Sequence, residues 1–182
     1  MTNYGLPYFL EDKTGSLSGS EFVDIHDRMR LCIRCTARDA QRCAFMIYNI
    51  NACPGGPLTP GAVLDFGPSN TLGTVSIGSG SYIPMSRYLT KVSPLGSSLA
   101  RKFIASDGQA YRWSWREGDN SEWICQNGEN YIVACYNLKL SEEPHYSGSS
   151  GCMLTVEEAY SHLAVELLAS LTIMRYIAAN NL

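Results

Sequence analysis

Charge is what this chain has little of. Asp, Glu, Lys and Arg make up 17% of its 182 residues, against about a quarter in an average soluble domain. A basic surplus is missing too: 14 Lys and Arg face 17 Asp and Glu, for a net charge of −3. Binding nucleic acid by bulk charge needs an excess of Lys and Arg over the phosphates to be neutralised, so no nucleic-acid partner is expected. The stretch Met1-Thr2-Asn3-Tyr4-Gly5-Leu6-Pro7 lacks the basic run and apolar core of a secretory signal, and Thr2 excludes N-myristoylation. The expected location is cytoplasmic. There is no Gly-x-Ser-x-Gly elbow, and Gly55-Gly56 and Gly78-Ser79-Gly80 do not match a phosphate-cradling spacing, so they read as turns. Scarce charge does not mean disorder. Hydrophobic residues reach 45%, enough for a sizeable core, and the length suits one domain.

The seven cysteines are an odd number, a poor fit to a closed disulfide framework, and a reducing compartment would keep them as thiols. Cys32-x-x-Cys35 with Cys43 and Cys53 lacks the second close pair of a structural zinc site. Neither a metal nor a cofactor is expected. Cys135 sits in an apolar strand pattern, while Cys125 and Cys152 lie near loops, with His145 close in sequence to Cys152; no Cys/His signature surrounds them.

Residues 1–20 mix Gly, Ser, Pro and aromatics and read as a flexible N-terminal tail. Tyr4, Tyr8 and Phe9 make it a candidate homodimer contact. Residues 21–182 form a single domain. Short apolar runs recur between turn signals such as Pro54-Gly55-Gly56-Pro57, Asp107-Gly108 and Asp119-Asn120. The clearest is Tyr111-Arg112-Trp113-Ser114-Trp115-Arg116, whose strict alternation marks a half-buried strand. This rhythm predicts a mainly β fold, a closed antiparallel β-barrel of about ten strands. The C-terminal segment breaks it. Thr155 with Glu158 resembles a capping box, and a helix over 156–179 is apolar around nearly its whole circumference. A membrane span needs about 20 largely uncharged residues, and His162, Glu166 and Arg175 intrude. No transmembrane segment is expected; threading the helix through the barrel would bury it.

Three features carry a resemblance: the hairpin Asp107-Gly108-Gln109-Ala110-Tyr111-Arg112-Trp113, the strand Ile132-Val133-Ala134-Cys135-Tyr136, and the hydrophobic C-terminal helix with Arg175. Over about residues 20–182 the chain resembles a family of small basidiomycete fungal proteins of unknown function. That family is similar to the tubby C-terminal and phospholipid-scramblase type of fold, a closed antiparallel barrel around a central apolar helix. The resemblance implies a fold more than a function. The chain departs from the tubby proteins in lacking a cluster of Lys and Arg for phosphoinositide headgroups, so that ligand is not carried over.

Two constellations could carry chemistry. Glu158, His162, Glu166 and Ser170 recur every four residues and would form one stripe on an α-helix. A His beside a carboxylate can act as general acid or base, but the same spacing is ordinary helix support. Tyr111, Trp113 and Trp115 share one strand face and, with Trp123, could stack on an apolar ligand or simply fill the core. The reading adopted is a cytosolic binding module for a hydrophobic small molecule or lipid at the barrel mouth, on Tyr111, Trp113, Trp115 and Trp123. The alternative is a cofactor-independent enzyme of fungal secondary metabolism, an isomerase, cyclase or hydrolase, with His162, Glu166 and Glu158 as its acid–base residues.

Overall fold

The computed structural model describes residues 5–52, 57–118 and 121–182. Tyr4, Cys53, the loop residues 54–56 and the turn at 119–120 lie outside them. Alternating strands cut by turns assemble into one antiparallel sheet of thirteen strands. The first seven are β1 (Tyr8–Asp12), β2 (Gly19–Asp24), β3 (Arg30–Arg38), β4 (Cys43–Asn49), β5 (Ala62–Phe66), β6 (Thr74–Ile77) and β7 (Ile83–Pro84). Each pairs with the one before it. The one-turn helix α1 (Met85–Tyr88) leads to a second run: β8 (Thr90–Lys91), β9 (Ala100–Ile104), β10 (Ala110–Arg116), β11 (Glu122–Asn127), β12 (Ile132–Asn137) and β13 (Cys152–Val156). β13 pairs with β1, Leu154 opposite Leu10, so the first and last strands join the two runs.

The expected closed barrel of about ten strands differs from this sheet in two ways. Its edges, β7 and β8, are neighbours in sequence but are not hydrogen-bonded to each other. Each is two residues long, and Pro84 has no N–H to offer a further ladder. The chain crosses this seam through α1, where Met85, Tyr88 and Leu89 are buried. The count rises because residues 8–12 and 19–20, expected in a flexible tail, are strand. Their inward positions include Asp12, Ser20 and Asp24, all buried, so polar residues stand where the apolar half of an alternation should be. Tyr8 and Phe9, the described aromatics of the supposed dimer contact, are part of β1, with the Arg28 guanidinium over the Tyr8 ring at 4.2 Å.

After β13 the chain turns through a 3-10 helix (Glu158–Leu163) into α2 (Ala164–Asn180). The expected start at 156 with a Thr155 cap does not form: Thr155 and Val156 are still in β13, opposite Phe9 and Tyr8. Every residue from Glu166 to Met174 is buried. A helix buried on all sides needs protein around it, and both runs of strands supply it. Phe66 of β5 stacks on Tyr176, 3.8 Å between ring centres. Trp113 of β10 donates its indole N–H to Ser170 Oγ at 2.8 Å, and Tyr136 of β12 lies 4.7 Å beneath the Arg175 guanidinium. The segment Glu158–Asn180 is long and apolar enough by composition to cross a membrane, but it is mostly buried within the sheet. Burying one large apolar side chain contributes about 1.5–3 kcal/mol, so the sheet and the helix stabilise each other.

Candidate functional site

The polar residues of the C-terminal segment do not share one stripe. Residues four apart align on an α-helix, but a 3-10 helix completes a turn in three, so Glu158 and His162 diverge. Glu158 Oε2 accepts a hydrogen bond from the Gly5 N–H at 2.6 Å. The His162 side chain is 59% exposed, its Nε2 4.0 Å from Asp107 Oδ2. Glu166 is 4% exposed and accepts three hydrogen bonds: from Tyr88 Oη at 2.8 Å, from the Ser106 N–H at 2.9 Å and from Ser106 Oγ at 2.7 Å. None of these contacts joins two of the three residues.

Glu166 therefore clamps α1 and the β9–β10 turn onto α2. Three donors are what a buried carboxylate requires, and a general base must have an oxygen free to meet the proton it removes. Burial and the Glu166 charge push the Tyr88 phenol far above its ordinary range. Asp107 accepts from Tyr111 Oη at 2.7 Å, and burial with this bond pushes Tyr111 up as well. Cys125 lies inside β11 rather than beside a loop, and burial raises its thiol and that of Cys135. Neither is set up as a thiolate nucleophile.

At the other end of α2 a cleft is lined by both the helix and the sheet. Along β10 the inward face runs from Tyr111 and Trp113, both buried, to Trp115, which is half-buried. Trp115 stands opposite Trp123 of β11, their ring centres 5.2 Å apart and their planes at 60°. These two indoles, with Leu17, Leu99 and Leu138, wall a cleft of about 470 Å³. Its floor is the end of α2, Ala178 and Ala179, with Arg175 one turn earlier. Of the four aromatics expected to bind a ligand, Trp115 and Trp123 line this cleft. Trp113 is spent on Ser170 in the core, and Tyr111 on Asp107. A cavity of similar size, about 490 Å³, lies among Asn49, Leu58, Pro60 and Gly78, with no aromatic or charged side chain in its described wall.

Arg175 and Asp12 were not singled out by sequence as site residues. Asp12 is wholly buried and accepts from Tyr136 Oη at 2.7 Å, from the Gly15 N–H at 2.9 Å, from the Thr14 N–H at 3.2 Å, and from Ser20 Oγ. Arg175 Nη1 lies 3.7 Å from Asp12 Oδ2, and Nη2 donates to the Gly15 carbonyl at 2.6 Å. Gly15 adopts a φ of +66° to present that carbonyl, a conformation that favours glycine. The signal in the sequence was Arg175 itself, a cation in an otherwise apolar helix, since buried charges need partners. Compared with protein-family models, curated proteins and solved structures, the chain matches none.

Proposed function

We propose that the protein is a binding module for a hydrophobic small molecule or lipid, held in the cleft between Trp115, Trp123 and the end of α2. The observation that carries this reading is the cleft: two indoles and three leucines face one concavity of about 470 Å³. Small-molecule sites are concave, largely apolar and of about 300–1,000 Å³. The ligand binds by covering these apolar faces, and the rigid sheet keeps their ordering cost low. One antiparallel sheet curled about an apolar helix supports the resemblance to tubby-like fungal proteins. Six free cysteines among the described residues fit the cytoplasm, where thiols stay reduced.

The test is intrinsic tryptophan fluorescence titrated with a panel of uncharged terpenoids, long-chain alcohols and neutral lipids, alongside native mass spectrometry of protein purified from its source. Binding shifts the Trp115 and Trp123 emission, and Trp115→Ala weakens it about tenfold or more, as loss of about 1.4 kcal/mol does. A flat titration across the panel, with no co-purified mass, overturns the reading.

A further inference from the structure

The cleft has one polar character. Among the described residues, the side chains around it that carry nitrogen or oxygen are Arg175, Trp115 and Trp123. A guanidinium and an indole can donate hydrogen bonds but not accept them. Their donors are also largely unspent. Among the described residues, the Arg175 guanidinium donates one hydrogen bond, from Nη2 to Gly15, and Nη1 faces Asp12 at 3.7 Å, beyond hydrogen-bond reach. Among the described residues, neither indole N–H of Trp115 or Trp123 has a hydrogen-bond acceptor. Among the described residues no buried side-chain nitrogen or oxygen lacks a partner. Nη1 and the indole nitrogens therefore reach solvent, and the cleft is the concavity that these side chains share. Asp12 is held in place by Thr14, Gly15 and Ser20 on Oδ1 and by Tyr136 on Oδ2.

We propose that the ligand is a monocarboxylate amphiphile of the fatty-acid type, its carboxylate at the Arg175 guanidinium and its chain along Trp115, Trp123 and the leucines. This rests on the binding function proposed above and names the ligand's head. These described side chains offer donors, and the head that meets them is an acceptor. A carboxylate suits the guanidinium because hydrogen bonds between two ionised groups are the stronger kind. The head should carry a single negative charge. Asp12 already faces the Arg175 charge, so a bound monocarboxylate leaves one net negative charge at the site whereas a dianionic phosphate monoester leaves two, at a greater electrostatic cost.

The test is a head-group series on the unaltered protein: dodecanoate, dodecanol and dodecyl phosphate, each below its micelle concentration, titrated by tryptophan fluorescence and calorimetry. Dodecanoate binds at least about tenfold tighter than dodecanol, since hydrogen bonds to a charged group exceed those to a neutral one. It also binds tighter than dodecyl phosphate. In R175Q the advantage of dodecanoate over dodecanol disappears. If R175Q does not fold, the series on the unaltered protein decides alone. Equal binding of dodecanoate and dodecanol overturns the carboxylate head and leaves the binding function standing. Preference for dodecyl phosphate overturns it too. No binding by any of the three removes the binding function itself.

Discussion

Arg175 on α2 reaches back to Asp12 on β1, Nη1 to Oδ2 3.7 Å, with the Asp12 side chain wholly shut from water and the Arg175 side chain 12% exposed. The contact ties the C-terminal helix to the strand where the two runs of the sheet meet. Removing one partner of a buried pair leaves the other charged and uncompensated, which costs about 3–5 kcal/mol. Asp12→Ala also strips Tyr136 Oη and the Gly15 and Thr14 N–H groups of their acceptor. The expected result is a loss of at least about 3 kcal/mol in urea unfolding. A loss under 1 kcal/mol would mean that Asp12 holds nothing together.

Glu166 and His162 separate a clamp from a catalytic pair. Glu166→Ala leaves Tyr88 and Ser106 unpaired beside a cavity and should cost about 3 kcal/mol or more. His162→Ala, at an exposed position, should stay within about 0.5 kcal/mol. Tyr88→Phe removes one of the three donors and should cost about 1 kcal/mol. Thermal and urea denaturation of the three variants decides the matter. If Glu166→Ala were neutral, the carboxylate would be free for another role, and an acid–base site would return to consideration.

Acid stability should depend on Asp24. Burial pushes its carboxyl up, but the Arg28 guanidinium and the Phe9 and Arg28 backbone N–H groups outweigh burial and hold it below its usual range. A folded state with the lower pKa binds the proton more weakly than the unfolded chain does. The stability from Asp24 is therefore in place above the unfolded value of about 3.9 and is lost as pH falls through the lower folded value. Unfolding free energy measured from pH 7 downward should decline below about pH 4. Asp24→Asn should lower stability by about 1.5–3 kcal/mol at pH 7 and flatten that decline. An acid slope unchanged in Asp24→Asn would assign the effect elsewhere.

What the sequence disclosed depended on the range of each interaction. The alternation Tyr111, Trp113, Trp115 and the Asp107-Gly108 turn are local, and both are where the pattern predicts them, Gly108 at φ +79°. β1 and β2 were hidden because Asp12, Ser20 and Asp24 hold inward positions. Their burial is stabilised by partners such as Tyr136 and Arg175, which lie at the far end of the chain and leave no local trace. The stripe of Glu158, His162 and Glu166 assumed an α-helix from the outset. Strand pairing of Thr155 with Phe9 removes the expected cap, and the first turns, Glu158–Leu163, are 3-10 rather than α. One aromatic of the cleft, Trp115, was legible on an alternating face, whereas Arg175 could be recognised as its polar floor only once the sheet had curled.

A single strand face shared between core and cleft makes β10 the sharpest place to divide stability from binding. Trp113 is fully buried with its N–H on Ser170 Oγ, so Trp113→Ala should cost about 3–5 kcal/mol. Ser170→Ala leaves that indole N–H buried and unpaired, at about 1–3 kcal/mol. Trp115, two residues along and half-buried, loses less area on truncation, and Trp115→Ala should cost about 1 kcal/mol. Ligand affinity should follow the reverse order: nearly unchanged in Ser170→Ala, weakened about tenfold or more in Trp115→Ala. Both readouts, urea midpoint and fluorescence titration, come from the same samples. If Ser170→Ala weakened binding while Trp115→Ala did not, the ligand would lie against the inner part of β10, inside the sheet, and the cleft at the end of α2 would be only the mouth through which it enters.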